Sequence, residues 1–348
     1  MFMKKVAIFQ RNLNIGGIER SLINLLNCID YSKYEIDLYL FHRENVFIKD
    51  VNEHVNVYYL DRLPQFTKVI SFNIIKAFYK CKINKEYDIA IDYNSYSVDC
   101  ALNAILCPAK KRIIWVHNDI DIKLQEEYKY RILYHAFKAK YNYFDTFVCV
   151  SQGARDAFEK VTHLNKEYKV IPNVIDTKKI KEQKDIETKF KVDENVVNVC
   201  STGRLVHQKG FDLLIREFAK VIREDAGYHL YIIGDGRERQ NLKHLIESLG
   251  MEDYITLTGK FNNPFNVMNK CDAFTLMSRY EGQGMAILEA KALGLDIVIP
   301  KHLEKYINDI EGCESVKDGI LHLCKHEKNN FDNLKAYNDK IIEDINNL

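Results

Sequence analysis

Apolar positions along this chain fall into short runs bounded by Gly, Asn, Asp or Ser, and between the runs lie longer stretches where apolar residues recur at helical spacing. In the first half the runs predict strands at Lys5–Phe9, Tyr34–Phe41, Val55–Leu60, Asp88–Asp92, Arg112–Val116, Thr146–Val150 and Lys169–Ile171. Helices are expected at 18–28, 67–82, 96–106, 122–142 and 152–160. Strict alternation of polar and apolar residues is rare in the central runs, as expected for a parallel sheet covered by helices on both faces. A polar segment rich in Lys and Glu, 177–195, reads as a linker. The alternation then resumes with strands at Val196–Ser201, His229–Ile233, Tyr254–Thr258, Ala273–Ser278 and Ile297–Ile299, and with helices at 211–224, 237–249, 285–293, 318–326 and 331–347.

The most informative stretch is Asp272 to Pro300. Strand 273–278 meets the glycine-broken turn Arg279-Tyr280-Glu281-Gly282-Gln283-Gly284, and helical periodicity then starts at Met285 and stops at Gly294. In such a unit the loop sits at the carboxyl edge of the sheet and the next helix aims its free N–H groups and positive dipole end outward, so an anion is the natural ligand. Glu281 before the helix and Glu289 about two turns inside it stand at different depths of that edge. On residue type alone they could be a solvated loop acid and a surface helix residue. Two carboxylates beside a phosphate-ready helix start instead suit a ligand with both phosphate and hydroxyl groups, such as a nucleotide sugar. A second site is Thr202-Gly203-Arg204-Leu205-Val206-His207-Gln208-Lys209-Gly210. Arg204 and Lys209 at a helix start oppose the helix dipole unless an anion lies between them, and a pyrophosphate fits. Pairing with surface acids is the alternative.

At 348 residues, with 47% hydrophobic and 28% charged residues, the chain suits two soluble domains. No apolar run approaches the ~20 residues of a membrane-spanning helix, and Lys4-Lys5 lead straight into a strand, so a cytoplasmic protein without a signal peptide is expected. The nine cysteines are scattered without a C-x-x-C and read as reduced core residues. The net charge of +1 hides an asymmetry, with 27 Lys and Arg against 21 Asp and Glu in residues 1–180 and 23 against 28 beyond. Segment 66–82 and helix 122–142 interleave cations (Lys68, Lys76, Lys80, Lys82; Lys123, Lys129, Arg131, Lys138, Lys140) with aromatic residues. That mixture suits an anionic membrane surface as well as it suits a solvated helix face. Gly16 and Gly17 close the first strand, but their spacing is not the G-x-G-x-x-G of dinucleotide enzymes, which argues against a dehydrogenase.

The segment Glu281-Gly282-Gln283-Gly284-Met285-Ala286-Ile287-Leu288-Glu289-Ala290 resembles the signature of the family 4 glycosyltransferases, retaining enzymes of the GT-B fold, and the likeness extends along nearly the whole chain. It implies an α/β protein of two Rossmann-like doubly wound domains facing one another across a central cleft. Residues 1–176 would hold the acceptor, 177–195 would link, 196–330 would hold the nucleotide sugar, and helix 331–348 would pack back on the first domain. It further implies that Arg204 and Lys209 grip and stabilise the departing diphosphate, that Glu281 meets the sugar hydroxyls and that Glu289 meets the ribose. His117, at the end of the strand closing Trp115-Val116, would approach the transferred sugar, and Gly16 and Gly17 would lie near the donor phosphates. Gly203, Gln283, Gly284, Met285 and Ala286 would border the donor, with Gly234, Gly236, Lys260 and Phe261 around the nucleoside. Val174 in Pro172-Asn173-Val174 and the run Pro300-Lys301-His302-Leu303-Glu304 depart from the family pattern.

No Asp-x-Asp motif ends a strand, so the cationic pair is expected to serve the diphosphate without a metal or other cofactor. The expected partners are a nucleotide-sugar donor, with UDP preferred, a glycan or lipid-linked acceptor, and an anionic membrane surface on the inner face of the cell membrane, but no nucleic acid. The product would be a bacterial surface polysaccharide. A nucleotide-sugar epimerase or hydrolase on the same fold, or an inactive partner subunit, are the alternatives.

Overall fold

The computed structural model describes residues 3–14, 16–307, 310–325, 328 and 334–348. Ile15 of the first glycine turn, residue 326 of the expected helix 318–326, residues 331–333 of the expected last helix and the side chain of Lys68 lie outside the described residues. The chain divides into two compact units, one of Met1–Val174 with Asn338–Leu348 and the other of Ile175–Tyr337.

The first unit is built on seven parallel strands, β1 (Lys4–Gln10), β2 (Tyr34–Leu40), β3 (Asn56–Tyr59), β4 (Tyr87–Asp92), β5 (Ala109–Val116), β6 (Thr146–Cys149) and β7 (Glu167–Val170), in the order β3-β2-β1-β4-β5-β6-β7. The order reverses between β1 and β4, in register at Phe9 and Asp92, so the loops after these strands open at the topological switch point. Helices α1 (Gly17–Cys28), α2 (Phe72–Phe78), α3 (Val98–Leu106), α4 (Ile120–Glu126), α5 (Tyr128–Phe137) and α6 (Gln152–Thr162) connect the strands. Ser97, Asp119 and Ser151 cap α3, α4 and α6 by accepting from the backbone N–H three residues on.

Two expected helices are broken into shorter pieces. In place of 67–82 there are a 3-10 turn at Gln65–Val69 and the short α2, which ends where Tyr79 turns extended and exchanges hydrogen bonds with Asn103. In place of 122–142 there are α4, α5 and a 3-10 turn at Lys138–Tyr143, with a non-helical hinge at Glu127. The tight turn carries Lys140 fully inside, where its ammonium donates to the Ser95 carbonyl at 2.6 Å. Tyr130, Tyr134, Phe137 and Tyr141 pack inward beside it.

The second unit has five parallel strands, β8 (Val197–Thr202), β9 (Tyr228–Ile233), β10 (Ile255–Gly259), β11 (Ala273–Thr275) and β12 (Asp296–Val298), in the order β10-β9-β8-β11-β12. Its helices are α7 (Thr177–Lys184), α8 (Phe211–Glu224), α9 (Arg239–Leu249), α10 (Phe265–Met268), α11 (Met285–Ala292) and α12 (Val316–Leu321). Here the switch point lies between β8 and β11. The segment read as a linker opens with α7, which Asp176 caps and which buries Ile180 in the second unit's core with Ile175, Phe265 and Met268. Its Lys-rich composition hides the helix because only one of its positions faces inward. Asn263 and Asn266 tie the same segment down by donating to the carbonyls of Gln183 and Ile186.

The last helix, α13 (Leu334–Asn346), delivers its end to the first unit, where Tyr34 donates to Asn346 and the Lys111 and Lys169 ammonium groups donate to the carbonyls of Leu348 and Asn347. The nine cysteines are free thiols, and Cys149, Cys200 and Cys271 are buried. Among the described residues no helix is long and apolar enough to cross a membrane.

If α7 is part of the second core, Ile180→Ala should cost roughly 2–5 kcal/mol in urea unfolding, the usual range for truncating a buried Ile. Its exposed neighbour Lys181, changed to Ala, should cost less than about 0.5 kcal/mol.

Candidate active site

The loops that leave β8 and β11 are fastened to each other backbone to backbone. Gly210, at the start of α8, has φ +61°, and a Cβ there would lie 1.9 Å from the Met277 carbonyl oxygen. Only glycine tolerates both the left-handed backbone and the approach. Next to this contact Arg279 N–H donates to the Gln208 carbonyl at 2.8 Å, and the Gln208 amide donates to the Tyr280 carbonyl at 3.2 Å. The Arg279 guanidinium adds a two-pronged bond to Asp212, at 2.9 and 2.7 Å, and reaches the His207 carbonyl at 2.7 Å. That hydrogen-bonded cation holds the Asp212 carboxyl below the usual range.

The two loops thereby bring Lys209 and Glu281 together. The Lys209 ammonium donates to Glu281 Oε1 at 2.6 Å, and the Ser278 hydroxyl donates to the same oxygen at 2.5 Å. Both side chains are largely removed from water, with 18% and 6% exposure. Arg204 stands exposed on the same loop and has no side-chain partner among the described residues. Gly203 packs on the Lys209 stem, while Gly234 and Gly236 press against the backbone of Gly203 and Leu205 so closely that a Cβ at either would overlap it. Gly284, at φ +71°, starts α11, so Met285 and Ala286 occupy its first turn and Glu289 its second, half-buried. Gln283 is buried and donates to the Tyr337 hydroxyl at 2.7 Å. Lys260 is exposed beyond β10, and Phe261 packs edge-on against Phe190.

Sequence reasoning missed several of the residues that build this edge. Ser278 and the Arg279–Asp212 clamp carry no motif of their own. His302, in the stretch that departs from the family pattern, rests its ring on the Ser278 carbonyl at 2.8 Å, so the departing segment supports the Glu281 turn. The available signal was position, since His302 follows the strand beside β11.

Gly16, Gly17 and His117 belong to the first unit. Gly16 precedes α1 and Gly17 begins it, at the edge where β1 ends. His117 follows β5, is buried with its ring 4.6 Å from that of Tyr93, and its Nε2 has no partner among the described residues. Burial holds the imidazole down at about 3, against a weaker opposing contribution from the Tyr93 backbone, so it is neutral at physiological pH. The Gln10 amide on β1 and the Trp115 indole N–H on β5 are likewise buried without partners among the described residues.

Comparison with known proteins gives the family. The model of Glycosyltransferase Family 4 matches residues 15–179 and that of Glycosyl transferases group 1 matches residues 180–344. The chain is a group 1 glycosyltransferase of the family 4 type. This glycosyltransferase is 24% identical over 331 residues to an uncharacterized glycosyltransferase of Haemophilus influenzae, spanning 94% of this chain and 86% of the relative. It is 26% identical over 308 residues to the N-acetylgalactosamine-N,N'-diacetylbacillosaminyl-diphospho-undecaprenol 4-alpha-N-acetylgalactosaminyltransferase of Campylobacter jejuni, spanning 86% and 81%. In fold it is similar to Anabaena HepE in complex with UDP and glucose, with TM-score 0.68 at 18% identity over 99% of this chain and 98% of that one. The apo lipopolysaccharide outer core galactosyltransferase WaaB gives TM-score 0.62 at 16% identity, covering 99% and 98%. The fold class expected from the sequence, GT-B with two parallel α/β sheets, is the one found.

Two outcomes test this geometry. Gly210→Ala should destabilise the enzyme by about 1–3 kcal/mol in thermal or urea unfolding, because the backbone strain and the overlap with Met277 add. His117 titrates near its ordinary 6.5 when unfolded and near 3 when folded, so between those values the unfolded chain binds the extra proton and stability falls as pH falls. Between about pH 6 and 4, wild-type stability should drop more steeply than that of His117→Asn, by roughly 1 kcal/mol per pH unit; parallel curves would show that the imidazole is not held neutral.

Proposed function

We propose that this glycosyltransferase moves a hexose or N-acetylhexosamine from a UDP-sugar to a hydroxyl of a glycan or lipid-linked acceptor, with retention and without a metal ion, in the assembly of a lipopolysaccharide or related surface glycan. The observation that carries the reading is the Lys209–Glu281 pair at the start of α11, with Arg204 exposed on the loop that carries Lys209. A diphosphate arriving there meets two cations and the positive end of a helix dipole. It competes with Glu281 for Lys209, and Glu281, held by Ser278, is left to accept from the sugar hydroxyls. Glu289, a turn further into α11, is placed for the ribose.

In the transfer itself the bond from the anomeric carbon to the diphosphate oxygen breaks and a bond to the acceptor oxygen forms on the same face. The acceptor proton leaves with the diphosphate. Arg204 and Lys209 stabilise the charge that develops on the leaving group, the electrostatic work that dominates such reactions. The UDP assignment is supported by the fold shared with HepE, whose structures hold UDP and UDP-glucose. The acceptor assignment is supported by the Campylobacter jejuni relative, named for a diphospho-undecaprenol acceptor, and the pathway by relatives named for lipopolysaccharide core and O-antigen biosynthesis. A cytoplasmic position at the membrane face follows from such an acceptor.

The purified protein should be melted against UDP, GDP, ADP and CMP and their sugars, with Lys209→Ala alongside. UDP and one UDP-sugar should raise the melting point of the wild type and not of the variant, because a ligand that binds only the folded state stabilises it by mass action. Arg204→Ala, Lys209→Ala and Glu281→Ala should each lower turnover about 10²-fold or more without unfolding the chain, EDTA should leave the rate unchanged, and NMR should show the donor's anomeric configuration in the product. Stabilisation by no nucleotide, or wild-type rates in the variants, would sink the reading.

A further inference from the structure

We propose that the 3-10 turn at Gln65–Val69, helix α2 and helix α5 form one surface of the first unit that docks on an anionic lipid bilayer, inserting apolar side chains between lipid headgroups. The apolar half of the surface is unusual for its exposure. Phe78, at 84%, is the most exposed large apolar side chain among the described residues, and Phe66 follows at 68%. Ile74 and Phe78 lie one helical turn apart on α2, as do Tyr128 and Ile132 on α5, so each helix presents an apolar pair outward while Phe72 and Ile75, or Tyr130 and Tyr134, pack inward. The elements adjoin one another, α5 packing on the Gln65–Val69 turn and α2 on the Lys138–Tyr143 turn. Tyr143 fixes the second junction by donating to Asn73 and lying under the Lys76 ammonium, 4.3 Å from the ring centre.

Charge names the occupant. Residues 62–85 contain Arg62 and five lysines and no Asp or Glu, and residues 128–144 contain Lys129, Arg131, Lys138 and Lys140 and no Asp or Glu. Not all of these cations serve. Lys140 is buried, Lys123 of the preceding helix is held by Glu127, and Lys82 pairs with Asp61. Lys80, Lys129 and Lys138 are exposed and form no ion pair among the described residues, and Arg131 lies over the Tyr128 ring, 5.4 Å from its centre. Exposed rings and aliphatic side chains among unpaired cations fit the acyl boundary and the phosphate layer of a bilayer together. A protein partner would need its own acids opposite these cations and apolar pockets for five separated side chains.

The test is co-sedimentation of the purified chain with phosphatidylglycerol vesicles and with phosphatidylcholine vesicles at low and physiological salt. The variants are Phe66→Ser with Phe78→Ser, and Lys80→Glu with Lys129→Glu. All four positions are exposed, and melting curves report whether each variant stays folded. The wild type should pellet with the anionic vesicles only, less at higher salt, and each double variant should lower the partition coefficient about fivefold or more. Equal binding to both lipids, wild-type binding by both variants, or no vesicle binding together with a dimer that the Phe variant abolishes would overturn the proposal. Vesicle binding needs neither donor nor turnover, so its failure leaves the transferase reading standing, and the reverse also holds.

Discussion

The second unit's chemistry depends on one close approach, the backbone of Gly210 against the carbonyl of Met277. Without it the loops after β8 and β11 would be separate surface turns, with Lys209 on one and Glu281 on the other. With it they become a single block, and a lysine and a glutamate that would ordinarily be solvated are pressed into a 2.6 Å contact away from water. Removing two charges from water is expensive unless each finds good partners. Here Ser278 supplies a second hydrogen bond to Glu281, and the Arg279–Asp212 clamp keeps the block from opening.

The same arrangement explains why a helix can begin with cations beside it. Lys209 lies just before α8, where the dipole disfavours it, yet in the folded chain its ammonium is turned onto a carboxylate. The unfavourable placement is thus offset by an ion pair. On the first unit the corresponding preparation is different in kind. His117, Gln10 and Trp115 are kept neutral and buried, with hydrogen-bonding capacity unspent among the described residues.

Much of this was legible in the chain. Strand runs such as Lys5–Phe9 and His229–Ile233 are unambiguous because buried parallel strands need continuous apolar residues, and the Glu281–Glu289 segment announces itself by glycines at a strand-to-helix turn. What could not be read has a common cause. The tight turn at Lys138–Tyr143 and the end of α2 at Tyr79 hold side chains that reach remote partners, Lys140 to Ser95 and Tyr79 to Asn103, and local periodicity is blind to both. Helix α7 was hidden because its only inward position, Ile180, sits among lysines. His302 supports the site through the Ser278 carbonyl and Ser278 through its hydroxyl on Glu281, contacts that no spacing rule encodes. Of the cations expected to face a membrane, the structure engages Lys82, Lys123 and Lys140 elsewhere and leaves Lys80, Lys129 and Lys138 exposed.

The path of α13 has a consequence for how the chain is made. Residues 338–348 belong to the first unit, where Asn346, Asn347 and Leu348 accept from Tyr34, Lys169 and Lys111. On the ribosome all of residues 175–337 emerge before those partners do. The first sheet therefore waits, Lys111 and Lys169 without their carbonyls, through the synthesis of an entire second unit. Domains generally fold as they appear, but this one is completed only when the chain returns to it, and in chain order the second unit is an insertion in the first.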